Sequence, residues 1–305
     1  MIEARSMDAF YSDQFVLPLP DDHRFPMLKY RRLRERVDAE VPGATLRVPA
    51  ASSDDELLRV HSARYVADVK AGAVEPKPWR RVGFPWSPEL VERSRRSVGG
   101  TVSAARSALA NGAAVNLAGG THHAFADRGE GFCVFNDVAV ASRAMQAEGR
   151  VDRILVVDLD VHQGNGTAAI FAGDPSVFTL SLHGARNYPF QKEKSDLDVP
   201  LADGTGDAEY LDALEAALDR ALPASGPDLV FFLAGADPYR GDRLGKLALS
   251  RRGLARRDRL VFERCGARGV PVAIVMAGGY CPDVEEIASI HLETVTQAAE
   301  LARRP

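Results

Sequence analysis

Three residues that could bind a metal ion follow a short apolar run near the middle of the chain: Asp158, Asp160 and His162. The run is rich in β-branched residues, which favours a strand buried on both faces of a parallel sheet. Side chains on one face of an extended strand lie roughly 6–7 Å apart, too far to share an ion without a bend. Gly164 and Gly166 permit that bend. We therefore expect Asp160 and His162 to converge on an ion, while Asp158 orients an imidazole from behind.

Reactive residues also follow three other apolar segments that are typical of strands. They are His122 with His123, then Asp237, and then Tyr280. Ligands of open α/β sheets bind beyond the carboxyl ends of the strands. Because parallel strands end at the same edge of a sheet, we expect all four groups of residues to meet there. Each strand end alone is weak evidence, whereas four together are hard to obtain by accident.

These residue types predict metal-assisted hydrolysis. Asp160, His162 and Asp237 would supply two oxygen ligands and one nitrogen ligand. Three protein ligands with an open position are typical of a catalytic zinc site, although Fe(II) or Mn(II) could use the same ligands. Such an ion lowers the pKa of bound water toward about 7 and polarises a carbonyl. The adjacent histidines offer the base that this chemistry needs, and the phenol of Tyr280 could stabilise an oxyanion.

Neighbouring residues predict how the two histidines are oriented. Asp158 is placed to accept a hydrogen bond from one imidazole, and Asn165 could orient the other. A neutral partner leaves its histidine with a lower pKa than a carboxylate partner would. The segment 131–137 offers an aromatic wall near the histidines, although core packing explains Phe135 equally well. His61 has no second ligand candidate near it in sequence and is interpreted as a surface or packing histidine.

The elements that must position these residues alternate along the chain. Apolar runs predict strands at 113–118, 153–158, 177–183, 228–234 and 270–276. Spacing and caps predict helices at 27–40, 54–72, 89–111, 137–149, 167–171, 207–222, 250–268 and 283–302. The remaining long segments are predicted to be an irregular entry (1–30), a loop that is either a substrate rim or a connector (73–88), and a polar stretch (184–206). The alternation predicts a parallel sheet covered on both faces, in one domain over 1–305.

Composition limits the class of protein. The 305 residues include 38 Lys and Arg against 42 Asp and Glu, a net charge of −4, which argues against direct nucleic-acid binding. No run is long enough to span a membrane, and the N-terminus lacks the apolar stretch of a signal peptide. Three cysteines without a CxxC pattern fit a reducing cytoplasm.

Five motifs in this order resemble the histone deacetylase family, which has the arginase/deacetylase fold. They are Gly-Gly-Thr-His-His-Ala (119–124), Gly-Phe-Cys-Val-Phe-Asn-Asp (131–137), Asp-Leu-Asp-Val-His-Gln-Gly-Asn-Gly-Thr (158–167), Gly-Ala-Asp (235–237) and Ala-Gly-Gly-Tyr (277–280). The resemblance covers about residues 10–290. It implies a three-layer αβα fold around a central eight-stranded parallel sheet.

The resemblance also implies a role for each residue of the site. The zinc ligands would be Asp160, His162 and Asp237. The catalytic residues would be His123 as general base and acid, His122 paired with Asp158 as an electrostatic partner, Asn165, and Tyr280 as the oxyanion donor. The acyl-lysine tunnel would be lined by Gly131, Phe132, Tyr188 and Leu244. A potassium ion would lie behind the zinc, at Asp158 and the backbone of Asp160, His162, Ser181 and Leu182.

Several positions resemble particular subgroups of the family. Asn165 stands where class I enzymes have an aspartate, as it does in class II and class IV members. The segments 186–199 and 241–245 resemble class IV specifically. Leu244 stands where polyamine deacetylases place a glutamate, which favours an acyl-lysine protein or peptide over a small acylated amine. Some class IV enzymes prefer long fatty acyl chains, so the sequence leaves acetyl and longer acyl groups open.

Three functions are compatible with these residues. The favoured one is zinc-dependent hydrolysis of Nε-acyl-lysine amides. The second is small-molecule amide hydrolysis, such as acetylpolyamine cleavage, and a two-manganese arginase-like site is weaker because it needs more carboxylates. The third is a non-catalytic acyl-lysine binder, which is disfavoured because the base and the phenol are both present.

Overall fold

A parallel sheet forms the centre of the computed structural model, which describes residues 6–20 and 23–302. Its strands are β1 (Met7–Phe10), β2 (Ala44–Arg47), β3 (Ala113–Asn116), β4 (Ile154–Asp158), β5 (Val177–Gly184), β6 (Leu197–Leu201), β7 (Leu229–Leu233) and β8 (Val272–Val275). They lie side by side in the order β2-β1-β3-β8-β7-β4-β5-β6, and every pair is parallel. The eight-stranded parallel sheet of the sequence analysis is confirmed.

Helices connect the strands and cover the sheet. They are α1 (Leu28–Glu40), α2 (Asp54–Leu57), α3 (Ala63–Ala71), α4 (Pro76–Trp79), α5 (Pro88–Asn111), α6 (Asp137–Ala147), α7 (Asn165–Ile170), α8 (Asp207–Ser225), α9 (Arg251–Gly266) and α10 (Val284–Ala302). Within the described ranges, none of them combines the length and the apolar character that crossing a membrane would need.

The two faces of the sheet pack into separate apolar cores. Successive side chains of a strand point to opposite faces. In β4, Leu155 and Val157 therefore join a core with α1, α8, α9 and α10, whereas Ile154 and Val156 join a core with α3, α5 and α6. Both sets are fully buried, so β4 has the continuous apolar sequence of a strand covered on both sides. The predicted three-layer α/β architecture is confirmed.

The prediction of one helix over 54–72 is wrong, because the chain forms two helices there. Ser53 caps α2 with a capping box that includes Glu56. The chain then turns, and the hydroxyl of Ser62 accepts a hydrogen bond from the backbone N–H of Tyr65 to begin α3. Each serine satisfies backbone donors that would otherwise be free at the start of a helix.

Three strands were not predicted from apolar runs. β1 lies in the segment predicted to be irregular, β2 was assigned to no element, and β6 lies in the polar stretch. Each has four or five residues, and β2 and β6 are at the edges of the sheet, where partly exposed side chains replace a continuous apolar run. The predicted loop 73–88 also contains the short helix α4. The prediction of a single domain over 1–305 includes residues 1–5, 21–22 and 303–305, which lie outside the described residues. The single domain therefore stays a prediction.

Candidate active site

Four neighbouring strands deliver the candidate residues to one edge of the sheet. The strands β3, β8, β7 and β4 are adjacent in that order. His122 and His123 follow β3, Tyr280 follows β8, and Asp237 follows β7. β4 ends at Asp158, and the chain bends directly after it. The structure therefore brings together residues that are far apart in the sequence.

Asp160, His162 and Asp237 form a buried group whose ligand atoms all lie within 4.8 Å of one another. The Nδ1 atom of His162 is 2.9 Å from Asp160 Oδ1 and 3.2 Å from Asp237 Oδ2. Asp237 Oδ2 is fully buried and makes no hydrogen bond with any described residue. A buried carboxylate oxygen without a donor is costly unless a cation or a donor neutralises it. Two carboxylates and one imidazole fit a divalent cation such as zinc.

Backbone groups hold the two carboxylates in place. The N–H of Val161 donates to Asp237 Oδ1 (2.9 Å), and the N–H of Gly278 donates to Asp160 Oδ2 (2.7 Å). A Cβ atom on Gly278 would lie 1.9 Å from Asp237 Oδ2, so only glycine allows this approach. The second oxygen of Asp237 is thus left for another partner.

The two buried carboxylates influence each other and the imidazole between them. Burial raises the pKa of Asp237, and the charge of Asp160 raises it further, to about 7. Burial opposes ionisation of Asp160 as well, but the charges of His122 and His162 outweigh it and lower the pKa of Asp160. Burial lowers the pKa of His162, whereas its hydrogen bond to Asp160 and its close contact with Asp237 raise it to about 10. The negative potential of the two carboxylates therefore favours a positive charge between them.

The adjacent histidines have different hydrogen-bond partners. His122 Nδ1 lies 2.6 Å from Asp158 Oδ2, and His123 Nδ1 lies 2.7 Å from Asn165 Oδ1. Their ring centroids are 4.1 Å apart, and the ring of His123 is 5.8 Å from that of His162. The structure therefore pairs each histidine with the partner that the sequence analysis suggested.

The two histidines have different pKa values because their surroundings differ. Burial lowers the pKa of His122, but the carboxylates of Asp158 and Asp160 outweigh burial and raise it to about 9. Burial and the positive charges of His122 and His162 hold the pKa of His123 well below its usual value. At neutral pH, His122 is thus the charged ring and His123 the neutral one, which suits a base.

Asp137, at the start of α6, fixes the loop that carries the histidines. Its carboxylate accepts hydrogen bonds from the backbone N–H groups of Gly120 (3.0 Å) and Thr121 (2.7 Å) and from the hydroxyl of Thr101 (2.5 Å). Gly131 packs against the ring of His123, where an added Cβ would lie 2.4 Å from the imidazole. Together these contacts restrict the position of the His123 imidazole.

A cleft of about 800 Å³ leads from the surface to these residues. Five of the residues predicted for the tunnel and the oxyanion donor line it, namely Gly131, Phe132, Tyr188, Leu244 and Tyr280. The Tyr188 ring is perpendicular to that of His123 at 4.9 Å, and the Tyr280 ring lies 5.9 Å from that of Phe132. Burial, together with the charges of Asp160 and Asp237, raises the pKa of the Tyr280 phenol well above its usual value, so it stays protonated.

Comparisons with known proteins agree with the arrangement of the sheet and of the candidate site. A family model described as "Histone deacetylase domain" matches residues 23–295. The chain belongs to the histone deacetylase family. It is a hydrolase, and its sheet is the one found in solved histone deacetylase homologues.

Two relatives and one solved structure illustrate the similarity. An uncharacterized protein of Picosynechococcus sp. is 47% identical over 283 residues, which cover 92% of this chain and 94% of that protein. Histone deacetylase 2 of Arabidopsis thaliana is 33% identical over 84% of this chain and 69% of its own length. The crystal structure of a histone deacetylase homologue from Aquifex aeolicus has a TM-score of 0.83 and 25% identity over 98% of this chain and 85% of its own.

The suggested potassium site of this deacetylase-like fold lies between two strands. Asp158 is directly opposite Ser181 in the β4–β5 register, and Leu182 follows on β5. All three are buried, and the hydroxyl of Ser181 is 3.0 Å from Nδ1 of His183. The side chain of Asp158 already bonds with His122, so a cation here would share that carboxylate. Its presence stays a prediction.

Two carboxylates close to the candidate site were not singled out by the sequence analysis. Glu130 is buried and accepts a hydrogen bond from Asn165 Nδ2 (2.7 Å). Asp242 accepts hydrogen bonds from the N–H groups of Tyr280 (2.6 Å) and Leu244 (2.8 Å), and so ties the tyrosine loop to the loop of Leu244. A signal for Glu130 was its place between Gly129 and Gly131, two residues before Phe132.

Proposed function

We propose that this chain hydrolyses Nε-acyl-lysine amides with the help of a divalent metal ion, with zinc as the first candidate. The observation that carries the proposal is the convergence of three potential metal ligands, a neutral histidine and a protonated phenol at the end of one cleft. Asp160, His162 and Asp237 would hold the ion. When bound, a divalent ion at such a site lowers the pKa of water and polarises a carbonyl.

His123 is proposed as the general base. Its Nδ1 is directed at a carbonyl-type oxygen of Asn165, which places the proton on Nδ1 and leaves Nε2 free. Nε2 would accept the proton of the attacking water and then give it to the leaving lysine amine. His122, held charged beside Asp158, would favour the negative charge that develops on the substrate.

Tyr280 is proposed as the oxyanion donor. The raised pKa of its phenol keeps the proton available at neutral pH. The aromatic walls formed by Phe132 and Tyr188 would hold the aliphatic part of an acyl-lysine while excluding water.

We also propose a structural potassium ion and a class IV-like position within the family. We further propose a cytoplasmic location, which the free and buried cysteines support.

The test of this proposal combines metal analysis with peptide hydrolysis. Purified protein is analysed for zinc and iron and is then given lysine peptides that carry acetyl, octanoyl or myristoyl groups. Tyr280→Phe is expected to lower kcat by about 10²–10³ through loss of one donor, and His123→Ala by about 10²–10⁴. Both variants should retain the metal.

Tyr11→Phe is the matched control, because Tyr11 lies outside the cleft and packs against Arg34. It should leave turnover unchanged. Wild-type turnover in Tyr280→Phe or His123→Ala would refute the assignment of these residues. The best of the three acyl peptides identifies the preferred chain length.

Acetylpolyamine cleavage is the alternative within the family. Leu244 is an apolar residue that lines the cleft and offers no attraction to a distant ammonium group. We therefore expect acyl-lysine peptides to be better substrates than acetylspermidine, and Leu244→Glu should shift the ratio toward the polyamine. Faster turnover of acetylspermidine by the wild-type protein would favour the alternative.

A further inference from the structure

Four cationic side chains surround the opening of the cleft. They are Arg80, Arg81, Arg186 and Lys246, which we call the basic mouth. All four are exposed and line the cleft, and they come from three separate segments of the chain. Arg80 and Arg81 follow α4, Arg186 follows β5, and Lys246 precedes α9. The opening therefore has a surplus of positive charge, although the walls of the cleft also include Phe132, Tyr188 and Leu244.

Within residues 6–20 and 23–302, few carboxylates neutralise the basic mouth. Arg186 pairs with Asp203 at 2.6 Å, and Lys246 Nζ donates to the backbone carbonyl of Arg186 at 3.1 Å. Among the residues that the structure describes, no carboxylate oxygen lies within 4.0 Å of a side-chain nitrogen of Arg80, Arg81 or Lys246. The described residues that line the cleft include no aspartate and no glutamate.

Arg24 also lines the cleft but is not included in the basic mouth. Two acidic residues, Asp21 and Asp22, precede it in the sequence and lie outside the described residues. The basic mouth is therefore limited to its four described cations.

The basic mouth contrasts with the charge of the whole chain. The net charge is −4, so a surplus of cations at the cleft is a local feature and does not reflect the average surface. Charges of one sign around a low-dielectric cleft focus the electrostatic potential and raise the local concentration of ligands of the opposite sign. Exposed cations would also repel a cationic substrate that approaches the same opening.

We propose that the basic mouth selects acyl-lysine substrates whose flanking residues are acidic. This inference depends on the proposed function, because the acyl-lysine itself must enter the cleft. The flanking residues then remain at the opening, where arginine forks can bind carboxylates in a bidentate manner. Lysine- and arginine-rich segments and polyamines meet like charges at the same place. The recognised partner is thus an acidic stretch of polypeptide around the modified lysine.

The test uses three peptides of equal length with one acetyl-lysine in the centre and acidic, neutral or basic flanks. For the wild-type metal-loaded enzyme, kcat/KM is expected to fall in that order, by about tenfold from the acidic to the basic peptide at low ionic strength. The difference should lie mainly in KM, because the flanks do not touch the reacting atoms. Near 1 M salt, where the Debye length is about 3 Å, it should largely disappear.

Charge-reversal variants identify the residues responsible. The double variant Arg80→Glu, Arg81→Glu and the single variant Lys246→Glu should each reduce or reverse the preference, while kcat for the neutral peptide stays near the wild-type value. Arg220→Glu is the matched control, because Arg220 is exposed on α8 and does not line the cleft. It should keep the wild-type order of the three peptides.

The outcomes separate this inference from the proposed function. Hydrolysis of all three peptides at equal rates, or a preference for the basic peptide, would overturn the inference and leave the lysine deacylase function standing. A preference that survives both mouth variants would equally overturn it. If no acyl-lysine peptide is hydrolysed while a small acylated amine is, the proposed function fails and the inference fails with it.

Discussion

The proposed base is oriented by a chain of two neighbours. His123 Nδ1 contacts Asn165 Oδ1 at 2.7 Å, and Asn165 Nδ2 donates to Glu130 Oε1 at 2.7 Å. Because Glu130 can only accept when ionised, it determines which end of the Asn165 amide faces the imidazole. The amide oxygen then requires a proton on Nδ1 of His123. We therefore expect Glu130 to position the proposed base, although it does not line the cleft.

Replacing Glu130 with glutamine should disturb this orientation. A glutamine side chain can donate as well as accept, so the amide of Asn165 loses its fixed direction. We expect Glu130→Gln to lower kcat about tenfold, the equivalent of one hydrogen bond to a charged group, with little change in KM. Steady-state kinetics with an acetyl-lysine peptide measures both parameters.

A double-mutant cycle distinguishes positioning from general stability. If Glu130 acts through Asn165, the substitution should have almost no further effect in an Asn165→Ala background. A fully additive loss in the double variant, or an unchanged kcat in Glu130→Gln, would show that the carboxylate does not position the base.

At the residue scale, the sequence analysis predicted the site residues that lie within recognisable motifs. Asp158 and Asn165 were predicted as the histidine partners because both lie in the segment that also holds the candidate ligands. Glu130 is different, since it meets Asn165 across 35 positions of sequence. No local pattern indicates that contact, because it exists only once two loops have been placed by the fold.

At the scale of elements, the loop that presents Tyr280 depends on a helix at the other end of the chain. Lys29, in α1, is 2% exposed, and its Nζ approaches the backbone carbonyls of Ala277 (3.4 Å) and Gly279 (3.3 Å). The same ammonium lies 5.4 Å from the centroid of the Tyr280 ring. A buried ammonium needs acceptors, and these carbonyls need donors, so the contact stabilises both.

The variant Lys29→Met should loosen this loop. It keeps the aliphatic length of the side chain but removes the donor, which leaves two buried carbonyls unsatisfied at a cost of about 1–3 kcal/mol. We expect a lower free energy of unfolding in urea and a lower kcat, since Tyr280 would no longer be held in register. Lys70→Met is the control, because Lys70 is 58% exposed and should change stability by less than about 1 kcal/mol. Equal effects of the two substitutions would contradict the role of Lys29.

His61 joins the turn between α2 and α3 to the segment that precedes α6. Its Nδ1 donates to the carbonyl of Phe125 (3.0 Å), and its Nε2 accepts from the N–H of Asn136 (3.0 Å). Both ring nitrogens are therefore occupied in the neutral form, and the ring is buried, as expected for a packing histidine. Burial lowers its pKa to about 4.

The free energy of unfolding should therefore depend on pH through His61. Between pH 6.5 and 4 the unfolded chain binds a proton at this residue and the folded chain does not, so stability falls as the pH falls through this range. At pH 5 the loss amounts to about 2 kcal/mol. Because His61→Gln has no such proton, its stability deficit relative to the wild type at pH 7 should shrink by that amount at pH 5. A deficit that is the same at both pH values in urea unfolding would contradict the lowered pKa.

The sequence predicts elements best where the pattern is long and uniform. The five central strands were predicted within a few residues, because burial on both faces requires a continuous apolar run. β6 was not predicted, because Asp198 and Pro200 interrupt its five residues at the edge of the sheet. β1 and β2 have four residues each, and their place in the sheet depends on pairing with distant strands. Tertiary pairing, which local sequence does not report, decides such elements.

At the scale of the whole molecule, the candidate metal site couples function to stability. Asp160 and Asp237 are fully enclosed at the end of four strands, between two apolar cores. Burial, together with repulsion from Asp160, raises the pKa of Asp237 to about 7, so keeping both carboxylates ionised in this low-dielectric site opposes folding. A divalent cation would remove that repulsion and would bind the folded chain far better than the unfolded one.

Removing the metal should therefore destabilise the whole protein. A ligand that binds only the folded state at about 1,000 times its Kd adds about 4 kcal/mol of stability. We expect a chelator to lower the Tm of the purified protein and added zinc to restore it. Asp237→Asn should remove most of this response, because it takes away one ligand and one half of the repulsion, and its metal-free form should melt at or above the Tm of the chelated wild type. An identical Tm with and without chelator, in a protein shown by metal analysis to have lost its ion, would mean that Asp160, His162 and Asp237 tolerate one another without a cation, and the coupling between metal binding and folding would have to be abandoned.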